Sequence, residues 1–196
     1  MIDYLKGKLT ELTPAFCVVE CGGVGYGLNI PLLFYDVLQK VNKDEDVKVY
    51  VYESIREDAH ELYGFRDKTE REAFRLLIGV SGVGPNTARL ILSSLTVEQL
   101  ESAISGGNEH PLKSVKGIGG KTALRIIVDL KDKIKGGTGS FNLSAPVAGA
   151  NFQDASSALI MLGFSMAQVQ KSLNKVFASN PEVSTEEAIK LALKML

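Results

Sequence analysis

A short phrase written twice constrains this chain more than any other feature. Val80-Ser81-Gly82-Val83-Gly84-Pro85-Asn86-Thr87-Ala88 returns 35 residues later as Val115-Lys116-Gly117-Ile118-Gly119-Gly120-Lys121-Thr122-Ala123. Each copy follows an apolar helical stretch, Phe74 to Val80 or Leu112 to Val115, and opens another, Ala88 to Leu92 or Ala123 to Leu130. Helix, Gly-apolar-Gly, helix is the pattern of a helix-hairpin-helix. Glycine lets the hairpin backbone take positive φ and come close to a partner. The helix that follows begins with free N–H groups and a partial positive charge, a setting that suits one phosphate. One such turn is common punctuation between helices. Two that share the frame Gly-x-Gly-x-x-Thr-Ala point to a clamp on a nucleic-acid backbone.

Two imitators fail on spacing. Gly120-Lys121-Thr122 looks like the end of a nucleotide-binding phosphate loop, but that loop needs a glycine five places before Gly120, where Val115 stands. No strand leads into it either, so no ATP site is expected. DNA glycosylases also carry a hairpin reading Gly-Lys-Thr-Ala, with a catalytic lysine and a later aspartate. Here the early downstream carboxylates, Asp129 and Asp132, share a charged helix with Arg125 and Lys131. They read as solvated charges paired at i, i+4 spacing.

Net charge is only −1, yet its distribution is uneven. Residues 1–64 carry 6 Lys/Arg against 11 Asp/Glu, residues 65–135 carry 12 against 8, and residues 136–196 carry 4 against 4. The basic excess falls on the segment with the hairpins, where phosphate contact is expected. Apolar residues make up 45% of the chain, enough for packed cores, and no run approaches a membrane span. The start, Met1-Ile2-Asp3-Tyr4-Leu5-Lys6, has no basic leader before an apolar core, so cytoplasm is the expected location. Cys17 and Cys21 share one strand-like stretch without a Cys or His cluster, which predicts reduced structural thiols and no zinc site. His60 and His110 stand alone, and no cofactor is expected.

The chain reads as an α+β multidomain protein. Tyr4 to Leu12, Phe16 to Cys21, Tyr26 to Ile30, Val47 to Ile55 and Glu61 to Phe65 are rich in Val, Ile, Tyr and Phe. Gly22-Gly23-Val24-Gly25 forms a turn between the second and third, and a helix over Leu32 to Leu38 precedes the fourth. Five strands with one helix between them suggest an OB-fold barrel over residues 1–64. Helices dominate 65–135, with capped starts at Asp67/Glu70 and Thr96/Gln99. Residues 136–150, rich in Gly, Ser, Ala and Pro, read as a linker. Residues 151–196 hold three helical patterns, Phe152 to Met161, Met166 to Phe177 and Ser184 to Leu196. The last has a capping-box start at Ser184/Glu187 and an apolar face of Ile189, Ala192, Leu193 and Leu196. Ala158 to Phe164 resembles the first turn of ubiquitin-associated (UBA-like) three-helix bundles.

Barrel, tandem hairpins, linker and bundle, in that order, resemble the RuvA family over essentially the whole chain. The match is carried by Gly22-Gly23-Val24-Gly25-Tyr26, Arg56-Glu57-Asp58-Ala59, Leu62-Tyr63-Gly64-Phe65, Gly82-Val83-Gly84-Pro85, and Gly117-Ile118-Gly119 with Lys121-Thr122-Ala123. The resemblance implies a non-catalytic scaffold, a homotetramer (one or two on the DNA), that holds a four-way Holliday junction for branch migration. By position, Gly82, Val83, Gly84, Gly117, Ile118 and Gly119 would grip the backbone, mostly through amides, with Asn86, Thr87 and Thr122 beside them. Lys121 and Arg125 would add charge. Asn86 and Gly120 stand where several family members carry lysine, and Arg89 and Lys116 are the candidates to compensate.

Glu57 and Asp58 match the family's acidic pin near the central pore. A carboxylate about 4 Å from a phosphate is repelled by roughly 1 kcal/mol in water, which opposes collapse of the crossover. An ion pair with Arg56 is the competing role. The resemblance also implies that the last bundle docks on the RuvB ATPase, with Leu162, Gly163 and Phe164 in its loop; core packing competes for Phe164. The RuvC resolvase is a further partner to be considered. Two other readings stay open: a general duplex-binding module, and a helix-hairpin-helix repair enzyme.

Overall fold

The computed structural model describes residues 1–42, 45–135, 150–181 and 183–196. The chain divides into two compact units, Met1–Leu143 and Ser144–Leu196. The expected linker, 136–150, lies outside the described residues except for Ala150.

The first unit begins with strands β1 (Tyr4–Thr13), β2 (Phe16–Cys21) and β3 (Val24–Asn29), helix α1 (Leu32–Leu38), then β4 (Asp46–Ile55) and β5 (His60–Phe65). The strands close a barrel in the order β1-β2-β3-β5-β4. All neighbours are antiparallel except β3 and β5, which meet in parallel at Asn29 and Tyr63. Alternation along β1 and β4 explains the closure: Leu5, Val47, Val49 and Val51 point inward, while Lys6, Lys8 and Lys48 face out. Phe34 and Leu38 of α1 complete the barrel core with Cys17, Val19, Leu28 and Ile30. Gly22 and Gly23, at φ 59° and 82°, make the tight β2–β3 turn. Burial pushes the Cys17 thiol up to about 12, so it stays protonated; both cysteines are free.

Helices α2 (Lys68–Ile78), α3 (Pro85–Ser94), α4 (Val97–Ser105), α5 (His110–Lys113) and α6 (Gly120–Lys135) follow. Local chemistry starts them where the sequence suggests. The Asp67 carboxylate accepts from the Glu70 N–H, and Thr96 with Gln99 forms a reciprocal capping box. Their apolar faces meet in one core around Phe74, Leu77, Ile91, Leu92, Leu100, Ile104, Leu112 and Ile126. Phe74 joins this core to the barrel, with ring centroids 4.8 Å from Phe65, 5.1 Å from Tyr63 and 5.3 Å from Tyr52. Arg71 adds a polar tie, donating through Nη1 to the Asp3 carboxylate at 2.6 Å and to the Asp3 carbonyl at 2.7 Å. The hydrogen bond from Arg71 holds the Asp3 carboxyl below the usual carboxylate range.

The second unit contains α7 (Ala150–Met161), α8 (Met166–Ser179) and α9 (Thr185–Leu193) around Ala155, Leu159, Val169, Leu173, Val176, Ala188 and Ala192. The Phe152 and Phe177 rings meet at a tilt of 59° on this core, their centroids 5.3 Å apart. Helix α9 packs by the expected face at Ile189, Ala192 and Leu196, while Leu193 stays out. Ala188 and Ala192 are fully buried, and Leu193 is 41% exposed. Among the described residues no helix is long and apolar enough to cross a membrane.

Candidate nucleic-acid interface

The two Gly-x-Gly phrases fold into matching turns. Gly82 and Gly117, the first glycine of each, both have φ of 90°, a left-handed conformation that disfavours other residues. Gly84 and Gly119, the second glycines, do not: Gly84 is extended, at φ −87° and ψ 172°, and caps α3 just before Pro85. Gly119 holds the same place before α6, its carbonyl accepting from the Ala123 N–H at 3.0 Å as that of Gly84 accepts from Ala88 at 2.9 Å. A Cβ added at Gly84 or Gly119 would meet nothing within 4 Å. That open face is what a close backbone approach requires.

The residue between the glycines plays a different part from the one expected. Val83 and Ile118 are 4% and 6% exposed, packed into the shared helical core. Their N–H groups already donate within the turn, to Val80 at 3.0 Å and to Val115 at 3.1 Å. Neither amide is therefore available to a phosphate, and both residues anchor the hairpin from inside. The available donors sit one step later, at Asn86 and Thr87 in the first turn of α3 and at Lys121 and Thr122 in that of α6. Asn86, Lys116 and Lys121 are exposed around them.

Two arginines depart from expectation. Arg125 does not pair with Asp129; its Nη1 donates to the Ser81 carbonyl at 3.1 Å and lies 3.4 Å from Ser81 Oγ. The guanidinium of the second hairpin's helix thus stands beside the first hairpin, and α6 braces both. Arg89 reaches the barrel. Its Nη1 donates to the Ala15 carbonyl at the β1–β2 turn, 3.0 Å away, which commits that nitrogen to the barrel.

Ser81 and Lys113 were not legible as site residues. The Lys113 Cε and Nζ lie 3.8 Å from where a Cβ on Gly120 would stand, so a charge from α5 reaches the start of α6. It is held by Glu109, 3.1 Å from its ammonium. Only packing of α5 on α6 brings Lys113 there, and no motif marks it.

Glu57 and Asp58 form the exposed tip of the β4–β5 hairpin. Ile55 and His60 are the last paired residues, and the Arg56 N–H closes the turn on the Ala59 carbonyl at 2.8 Å. Below the tip, His60 Nε2 lies 3.0 Å from Glu53 Oε1. Among the described residues no ion pair engages Glu57, Asp58 or Arg56, so the two carboxylates stand at the tip without a direct salt bridge.

In the second unit, Leu162 is 62% exposed beside Met161 at 88% and Met166 at 62%. Gly163, at φ 98°, ends α7, with its N–H donating to Ile160 and that of Phe164 to Leu159. The Phe164 ring packs against the bundle core, so of the three only Leu162 offers an apolar side chain outward. The described residues contain no cluster of His, Cys, Asp and Glu that could hold a metal ion.

Comparison with known proteins gives a consistent result along the chain. The family models described as RuvA N terminal domain, SAM-like Helix-hairpin-helix tandem and RuvA, C-terminal domain match residues 1–64, 74–132 and 150–196. Proteins described as Holliday junction branch migration complex subunit RuvA are similar over the full length of both chains. That of Bacteroides fragilis (strain YCH46) is 50% identical over 204 residues, and that of Parabacteroides distasonis is 50% identical over 199. That of Flavobacterium psychrophilum is 42% identical over 196.

Proposed function

Because the chain belongs to the RuvA family, we propose that it is the subunit of a branch migration complex that recognises four-way Holliday junctions through shape and backbone. One observation carries the reading. Two hairpins of the same geometry share one core and one bracing arginine, and the barrel packed on that core bears an exposed tip with two carboxylates. Each hairpin offers one phosphate the N–H donors and positive end of a helix, with Lys116, Lys121 and Arg125 supplying charge. Such contacts carry no base sequence. Glu57 and Asp58 repel phosphates that crowd toward the crossover and so keep the strands apart for re-pairing.

The chain itself performs no chemistry in this scheme. It acts in the cytoplasm as a homotetramer, turning DNA pumped by the RuvB ATPase into movement of the branch point. The three-helix bundle engages RuvB through the surface around Leu162, and RuvC takes the same junction for resolution. The test is a gel-shift titration at near-physiological salt, comparing a synthetic junction with a linear duplex under excess competitor. Strong junction preference is expected, and the mass of the complex distinguishes one tetramer from two. Equal binding to both substrates would reduce the protein to a general duplex clamp.

A further inference from the structure

We propose that Arg89 is a positioning strut that sets the first hairpin's angle to the barrel, and that this angle separates a junction from linear duplex. The inference rests on the junction reading above. A single phosphate clamp carries no information about DNA shape. Discrimination needs clamps held in fixed relation to each other and to the acidic tip, and the tip belongs to the barrel while the clamps belong to the helices.

Helix α3 is the element that must transmit that relation, because it starts at the first hairpin and runs against the barrel. Arg89 lies five residues beyond Gly84, about 7.5 Å along the helix axis. Its Nη1 donates to the Ala15 carbonyl, which also accepts from the Ile30 N–H at 3.1 Å. The acceptor is therefore a fixed point where β1, β2 and the end of β3 come together. One turn further along, Ser93 Oγ accepts from the Leu32 N–H at 3.0 Å and donates to the Arg89 carbonyl at 2.7 Å. Two successive turns of α3 are thus tied to two places on the barrel.

The arginine gives up something to stand there. Its Nε is buried, with no acceptor among the described residues. A buried donor left without an acceptor is costly, and a guanidinium committed to the barrel is withdrawn from DNA. Arg89 thus acts on DNA recognition only through the hairpin it holds.

Fluorescence anisotropy with a labelled junction and a linear duplex of equal arm length, between about 50 and 200 mM salt, tests this. Arg89→Met should lower the junction-to-duplex affinity ratio about tenfold, the scale of one charge-assisted hydrogen bond. The slope of log affinity against log salt should stay at the wild-type value. Arg89→Lys, which can still reach a carbonyl as a point donor, should restore most of the preference. Ser93→Ala breaks the neighbouring tie to Leu32, leaves the Arg89 guanidinium and its bond to Ala15 in place, and should lower the ratio in the same direction. It keeps the test decisive if Arg89→Met unfolds. A preference kept by both Arg89→Met and Ser93→Ala would overturn the strut alone. Parallel loss on both substrates, with a salt slope shallower by about 1, would make Arg89 a phosphate contact and overturn it too. A wild type without junction preference would overturn the junction reading, and the strut with it.

Discussion

Arg125 Nη1 donates to the Ser81 carbonyl oxygen at 3.1 Å, joining the helix behind the second hairpin to the turn of the first across 44 residues of chain. The same guanidinium nitrogen lies 3.8 Å from where a Cβ on Gly82 would sit. One side chain therefore does two jobs, bracing the pair of turns and bringing positive charge to the first.

Arg125→Gln should weaken binding to junction and duplex alike and reduce the salt slope by about 0.9, as expected for one lost phosphate neighbour. Arg125→Lys should keep most of the slope and lose affinity, because an ammonium lacks the planar fork with which a guanidinium spans Ser81 and a phosphate. Salt titrations of both variants check this. An unchanged slope in Arg125→Gln would remove the residue from the interface.

The four hairpin glycines should fall into two classes. Gly84→Val and Gly119→Val should abolish DNA binding with near wild-type thermal midpoints, since the added carbons point into open space. Gly82→Val and Gly117→Val should lower stability by about 1–3 kcal/mol each, because φ is 90° at both. Calorimetry and anisotropy on the four variants separate the classes.

Charge removal at the tip should leave recognition intact. Glu57→Gln with Asp58→Asn should bind junctions as tightly as wild type or more so, by lifting repulsion from phosphates, yet change the rate of motor-driven branch migration. A marked loss of junction affinity would contradict a repulsive tip.

Stability should carry the imprint of Glu70. Burial raises its carboxyl to about 7, although the Arg66 N–H donates to it at 2.7 Å. The folded state thus holds this proton more tightly than the unfolded chain, whose carboxyl titrates near 4.3. Below that value the two states are equally protonated. As pH rises from about 4.3 to 7 the folded state loses stability relative to the unfolded, by at most about 4 kcal/mol. Glu70→Gln keeps an acceptor for Arg66 and does not titrate. Its urea midpoint should gain on wild type between pH 5 and pH 8, and a constant gap would contradict the shift.

The two units should also separate functionally. Removing residues 150–196, which form their own core, should leave junction binding unchanged and abolish stimulation of the RuvB motor. Stimulation retained by the shortened chain would take the bundle out of motor coupling.

Much of this organisation is written locally and could be read without coordinates. The five strands, the inserted helix, the caps at Asp67 and Thr96 and both hairpin turns each depend on residues within a few positions of one another. Periodicity and capping chemistry act over that range, so the clamp pattern and the barrel were visible as strings. Local pattern does not determine the direction that a long side chain takes. Arg89 and Arg125 look alike as cations just inside a hairpin helix, yet one turns to Ala15 and the other to Ser81. Val83 and Ile118 look like members of an exposed turn, yet both are buried with their amides spent.

By itself the sequence determined the elements, their order and the repeated Gly-apolar-Gly turns, because backbone conformation and helix capping are decided by near neighbours. Only the tertiary structure decided which donors remain available, which arginine braces and which reaches the barrel, and that Lys113 stands beside Gly120. Those outcomes depend on which helix faces pack together across distances of 7 to 74 residues, and no local pattern encodes the partner.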